Sequence, residues 1–98
     1  MSDSVRVVAL FKAKADQADR LGEVLAAMCG PTRAEDGCVS YDLLRNPKDP
    51  ADFCFVEEWR DGAALKAHSQ SAHLKQGREK MADLLAAPPE VKVYKQFA

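Results

Sequence analysis

The sequence predicts an α+β fold of the ferredoxin-like βαββαβ type, a four-stranded antiparallel sheet with both helical stretches on one face. Three observations predict it. Four runs rich in β-formers lie at 5–14, 38–45, 53–59 and 91–97. One amphipathic helical stretch falls between the first two runs and another between the last two. The middle runs are joined by Asn46-Pro-Lys-Asp-Pro-Ala-Asp52, dense in turn formers, and so read as a hairpin. With 98 residues and no linker, repeat or low-complexity segment, residues 1–98 are expected to form a single domain.

In the first strand Val5, Val7, Ala9 and Phe11 share a face, and Arg6, Val8, Leu10 and Lys12 take the other. Apolar residues occur on both faces, so the strand should be covered on both sides. Asp16 is the expected N-cap of the first helix, with Asp19 favourably placed in its first turn. Leu21, Leu25, Met28, Cys29 and Thr32 form the stripe that packs on the sheet. A kink or break is expected at Gly30-Pro31, because Pro31 lacks an amide hydrogen. The helical region should end near Glu35-Asp36, capped by Gly37 in the left-handed conformation.

The second strand alternates Val39, Tyr41 and Leu43 against Ser40 and Asp42. The third places Phe53, Phe55, Glu57 and Trp59 on one face and Cys54, Val56 and Glu58 on the other. Asp61 can cap a short helix over 62–69. A second cap at Ser69 or Ser71 starts a longer helix to about Ala86, with Leu74, Met81, Leu84 and Leu85 as its stripe, and Pro88-Pro89 stops it. With helices on one side, the opposite face exposes Val8, Leu10, Cys54 and Val56, or else the opposite set. A monomer would leave that apolar surface wet, so a two-fold homodimer packed through the sheets is expected.

Composition removes several function classes. A net charge of −1 gives no basic patch for nucleic acid or an acidic membrane surface. No apolar run approaches the roughly 20 residues that span a bilayer, and Met1–Val5 has no leader-like character. Cys29, Cys38 and Cys54 are odd in number and lack metal-like spacing. They read as reduced, buried thiols in a cytoplasmic protein.

Chemistry concentrates in residues 53–73, which hold the single Trp, both His and the adjacent Glu57 and Glu58. His68 titrates nearest neutrality. His73 lies five residues on, a spacing that turns it away from His68 on an unbroken helix, although a break near Ser69–Ser71 could restore proximity. With no third ligand in view and no CxxC or HExxH, no metal is expected. Glu57 shares a face with large apolar side chains, so it should be paired or hold its proton more tightly than usual. A one-residue slip would give that role to Glu58. Trp59 should wall a pocket or the core, its indole N–H seeking an acceptor. There is no nucleotide-binding loop and no nucleophile elbow, so an enzyme here would work without an obvious nucleotide cofactor, by acid–base groups in an apolar pocket.

Phe53-x-x-x-Glu57-x-Trp59, then Ala64-Leu-x-x-His68, then Ser71-x-His73-Leu74, together with 32–41 (Thr-Arg-Ala-Glu-Asp-Gly-Cys-Val-Ser-Tyr), resemble the antibiotic biosynthesis monooxygenase domain over about residues 5–97. The resemblance implies a dimeric α/β barrel and a cofactor-free monooxygenase that joins O₂ to a quinol or a small polyketide-like aromatic. It implies His68 as general base or acid, Glu57 as the group that orients or tunes it and His73 as a second polar group. Trp59, Phe55, Tyr41 and Phe53 would hold the ring. Haem-degrading relatives use an Asn on the first strand, where this chain has none. Isomerases of a phosphorylated autoinducer sugar share the Glu and the two-His spacing but carry Tyr in place of Trp59, and they supply the alternative reaction. A non-enzymatic dimer that binds a small hydrophobic ligand is the third reading.

Overall fold

The computed structural model describes residues 3–98, so Met1 and Ser2 of the stretch read for a leader lie outside it. Strands β1 (Val5–Lys12), β2 (Cys38–Arg45), β3 (Asp52–Trp59) and β4 (Glu90–Tyr94) form one antiparallel sheet in the order β2-β3-β1-β4. Helices α1 (Ala18–Ala27), α2 (Cys29–Arg33), α3 (Gly62–Ser69) and α4 (Ala72–Met81) cover one face, and a 3-10 turn at Ala82–Leu84 follows α4. This is the expected ferredoxin-like α+β arrangement.

The core lies between helices and sheet. Val5, Val7, Ala9 and Phe11 of β1 and Phe53, Phe55 and Trp59 of β3 are buried there with Tyr41, Leu21, Leu25, Met28 and Met81. The register pairs Val7 and Tyr41 with opposite sides of Glu57, which places that carboxylate mid-sheet on the inner face. Glu58 lies on the outer face with Arg6, so the first of the two alternatives holds.

Several boundaries differ from expectation for local physical reasons. β1 ends at Lys12, and Ala13 continues only as a bridge to Leu85. Helix α1 is preceded by Gln17, not Asp16, and has no side-chain cap. The helical break falls at Met28, upstream of Gly30-Pro31. Breaking there puts Pro31 in the first turn of α2, where a backbone amide has no intrahelical acceptor to lose. Gly37 does adopt the left-handed conformation, at φ 85°. Val39 does not share the inner face with Tyr41, because a bulge between Cys38 and Ser40 turns it out to 58% exposure. Helix α4 begins after the Ser71 cap, whose hydroxyl accepts from the Leu74 amide, and ends at Met81, short of Ala86. β4 is shorter than the expected 91–97.

The outer face carries Val8, Leu10, Cys54, Val56 and Leu44 at its centre, the first set of the two considered. Ion pairs Arg6–Glu58, Lys12–Asp49 and Lys92–Glu90 surround them.

Candidate active site

β3 ends in Glu57-Glu58-Trp59, and the chain turns at once into α3. The Asp61 carboxylate accepts from the Ala64 amide at 2.8 Å, which satisfies an otherwise unpaired first-turn donor and fixes where α3 begins. Two turns later α3 lays His68 over the inner face of β3. The imidazole lies 4.6 Å from the Trp59 ring, tilted 30°, and meets the Tyr41 ring edge-on at 5.6 Å. Tyr41 in turn stacks on Phe55 at 4.4 Å. Trp59 is 0% exposed, Glu57 4% and His68 5%.

Trp59, Glu57 and His68 each have a hydrogen-bond partner. The Trp59 indole N–H donates to Glu57 Oε1 at 2.8 Å. Burial pushes the Glu57 carboxyl above its usual range, and the Trp59 hydrogen bond only partly opposes this. Burial pulls the His68 imidazole below its usual value against the opposing pull of Glu35, which keeps the ring neutral at neutral pH. Burial, helped by the Glu57 charge, raises the Tyr41 phenol well above its ordinary value, so Tyr41 stays protonated.

The partner of His68 is Glu35, a residue the sequence did not single out. Its Oε2 lies 2.7 Å from His68 Nδ1 and 2.8 Å from His73 Nε2. A carboxylate oxygen only accepts, so both nitrogens carry hydrogen in this arrangement. His68 then has Nδ1–H fixed and Nε2 left with a lone pair. Three features bring the groups together. The chain breaks at Gln70-Ser71 between α3 and α4, which returns His73 toward His68. The tight turn at Gly37 carries Glu35 in from the end of α2, and Gly37 O accepts from the Arg60 amide at 2.8 Å. A Cβ at Gly37 would meet the Ala64 Cβ of α3 at 2.5 Å, so only glycine permits this approach.

A cavity of ≈ 120 Å³ opens between the sheet and helices α3 and α4. Its walls are mostly apolar, including Val7, Phe55, Leu65 and Met81, and its polar groups are Glu57, His68, Ser69 and Arg78. Benzene occupies an engineered apolar cavity of about 150 Å³, so the enclosed part is on the scale of one ring. Of the residues read from the sequence, His68, Glu57, Phe55 and Tyr41 line this cavity. Trp59 lies behind them against His68. His73 faces a shallow groove with Met28 and Gly77 and reaches the cluster through Glu35. Phe53 is at the far end of β3, beside Gly22 and under the Arg45 guanidinium, away from the cavity.

The profile of the family described as antibiotic biosynthesis monooxygenase matches residues 4–80. A Mycobacterium tuberculosis protein named "Putative monooxygenase Rv0793" is 39% identical over 93 residues, 95% of this chain and 91% of that protein. An uncharacterised Synechocystis protein is 36% identical over 95% of this chain, which spans 63% of that relative's length. Among solved structures, that of Rv0793 superposes with a TM-score of 0.90 at 36% identity, covering 97% of this chain and 96% of that one. That of PA3566 from Pseudomonas aeruginosa superposes with a TM-score of 0.92 at 32% identity, covering 100% and 98%.

Proposed function

The chain belongs to the antibiotic biosynthesis monooxygenase family, and from that premise we propose that it is a cofactor-independent monooxygenase of a quinol or small polyketide-like aromatic. The observation that carries this reading is a mostly apolar, ring-sized cavity lined by His68, whose Nδ1 is engaged by Glu35 and leaves Nε2 as the basic nitrogen. Such a substrate needs no redox partner on the protein. Removal of a hydroxyl proton makes the ring an electron-rich anion, and that anion reduces O₂. Oxygen adds to a ring carbon as a hydroperoxide. Its O–O bond then breaks, one oxygen staying as a carbonyl and the other leaving as water with the two hydrogens lost from substrate.

In this reading His68 Nε2 takes the hydroxyl proton as general base, Glu35 holds the ring in the productive tautomer, and His73 shares that carboxylate. Glu57 holds Trp59 and adds a protonatable group to the cavity wall. Phe55 and Tyr41, stacked on each other, wall the cavity against the substrate ring, and Trp59 backs His68. Phe53 supports the strand that carries them. The isomerase alternative draws on the same Glu35-linked imidazole pair as a proton shuttle. A sugar phosphate would find one cation, Arg78, in an otherwise apolar lining, which favours the aromatic substrate. A ligand-binding dimer without chemistry is the third outcome.

We read residues 1–98 as one such domain working as a cytoplasmic homodimer. The outer face has an apolar centre ringed by charge pairs, the layout of a protein interface. A second copy of the same face is two-fold self-complementary. Among the described residues no helix is long and apolar enough to cross a membrane.

Oxygen uptake with a panel of reduced quinols, run beside anaerobic controls, tests the reaction. We expect uptake with a menadiol-type quinol, reduced about 100-fold or more in His68→Ala. Turnover of a phosphorylated sugar ketone without oxygen uptake would replace it with the isomerase. Ligand-induced stabilisation without either activity would reduce it to binding.

A further inference from the structure

Glu35, His68 and His73, besides the roles given to them above, together present a set of metal-type donor atoms. We propose that these three side chains form a binding site for a divalent transition-metal ion of the zinc type. We propose further that metal binding there converts His68 from a proton acceptor into a proton donor. The second half rests on the role given to His68 above; the first does not.

The geometry carries the site. One carboxylate oxygen and two imidazole nitrogens lie within 4.8 Å of one another. They come from three separate elements: the turn after α2, the end of α3 and the start of α4. Zinc bonds to such atoms are about 2.0–2.2 Å, which sets donor atoms roughly 3.3 Å apart on a tetrahedron. Glu35 Oε2 is now 2.7 Å and 2.8 Å from the two nitrogens. Seating the ion thus takes a withdrawal of the Glu35 carboxylate by about half an ångström and side-chain adjustment of the two imidazoles to the same donor spacing. Two imidazoles and a carboxylate suit zinc, cobalt or nickel rather than magnesium or calcium, which prefer all-oxygen sets. Three protein donors leave a fourth position for solvent.

The surroundings suit a site more than a surface contact. The side chains are graded from buried to open: His68 is 6% exposed, Glu35 16% and His73 25%. An ion thus enters past His73 and meets donors already held in place. The Ser71 cap fixes the helix break that aims His73, and the Gly37 turn fixes the loop that carries Glu35.

The effect on His68 follows from valence. Without metal, Nδ1 bears hydrogen toward Glu35 and Nε2 has the lone pair. A metal on Nδ1 needs that lone pair, so the Nδ1 hydrogen leaves and Nε2 gains one from solvent. The neutral ring keeps a single hydrogen, and no net proton is released by His68. Nε2, the atom assigned to deprotonate substrate, is then an N–H donor. Metal binding thus turns off the base without blocking the cavity.

The test uses the untagged full chain. Zn²⁺ is titrated by calorimetry, Co²⁺ by its visible absorption, and the His68 ring nitrogens are followed by ¹⁵N NMR. We expect one ion per chain, tetrahedral-type Co²⁺ bands, and a His68 tautomer change that saturates with the calorimetric midpoint. Glu35→Gln and His73→Ala, each checked for folding by circular dichroism, should weaken binding at least tenfold. Binding unchanged in both variants, or absent from the parent protein, overturns the site. Binding without the tautomer change overturns the switch. In parallel, quinol-dependent oxygen uptake should fall as Zn²⁺ saturates. If no quinol is oxidised while the spectroscopic results hold, the metal site stands and the oxygenase reading alone falls.

Discussion

Glu57 carries a carboxyl group into a wall formed by Val7, Tyr41 and Phe55, with one hydrogen bond, from Trp59, to hold it. Because burial raises its folded-state pKa above the unfolded value, the native protein holds more protons than the unfolded chain between those two values. Stability therefore falls as pH rises through that interval and stays lower above it. Glu57→Gln keeps an oxygen for Trp59 Nε1 and removes the charge. It should melt at a higher temperature than the parent protein near pH 7. The difference should vanish below about pH 3, where the carboxyl is protonated in both states. A variant equally destabilised at both pH values would contradict this. The oddity of Glu57 is legible in the sequence, because strand alternation alone puts it among aromatics. Glu35 is not legible in the same way. In the sequence it is one acid in a charged loop, 33 residues from His68, and only the folded chain joins them. The sequence points to Glu57 as the carboxylate that serves His68; in the structure His68 donates its direct hydrogen bond to Glu35, and Glu57 accepts from Trp59.

At the scale of elements, local chemistry decides where the site can form. Asp61 sets the first turn of α3, so Asp61→Ala should cost about 1 kcal/mol. In a domain of this size that lowers the melting temperature by roughly 4–8 °C. Gly37→Ala should cost more in urea unfolding. The left-handed backbone alone penalises a Cβ by about 1–2 kcal/mol, and the clash with Ala64 adds to it. The second substitution should also loosen Glu35 from both histidines, visible as altered imidazole resonances, while Asp61→Ala leaves the Glu35 turn intact. Strand patterning, the Asp61 and Ser71 caps and the role of Gly37 could be read in advance because each is a short-range rule, whereas the expected Asp16 cap does not form. The Val39 bulge and the shift of the helix break to Met28 could not. Each depends on how a strand or helix end fits its neighbours, and the residues themselves allow both outcomes.

For the whole molecule, two surfaces remain open. On the outer face, Val8, Leu10, Leu44, Cys54 and Val56 make the apolar centre of the sheet. At the edge, among the described residues, β4 has no strand on its far side, and Val91, Val93 and Tyr94 are at least half exposed. Light scattering at micromolar concentration should give twice the 10.8 kDa chain mass. Val56→Lys should return it to one chain mass without loss of secondary structure, since Val56 makes no part of the inner core. A parent protein that scatters as one chain would remove the dimer. The order of the elements made the fold and the uncovered face foreseeable. The cavity was not, since its walls come from the spacing between helices and sheet, which no residue pattern encodes.

The cysteines occupy three distinct positions, with a consequence for chemical kinetics. Cys29 is buried in the first turn of α2, Cys38 sits at the bulge opposite Trp59, and Cys54 lies half-buried on the outer face. Burial raises all three thiols, so none is a ready thiolate, and alkylation at neutral pH should be slow at each. Their rates should nevertheless respond differently to dilution. If two copies meet through the outer face, Cys54 reacts faster as the protein is diluted, while Cys29 and Cys38 keep constant rates. Mass spectrometry of a timed alkylation would thus read association from one sulfur atom, with the other two as internal clocks.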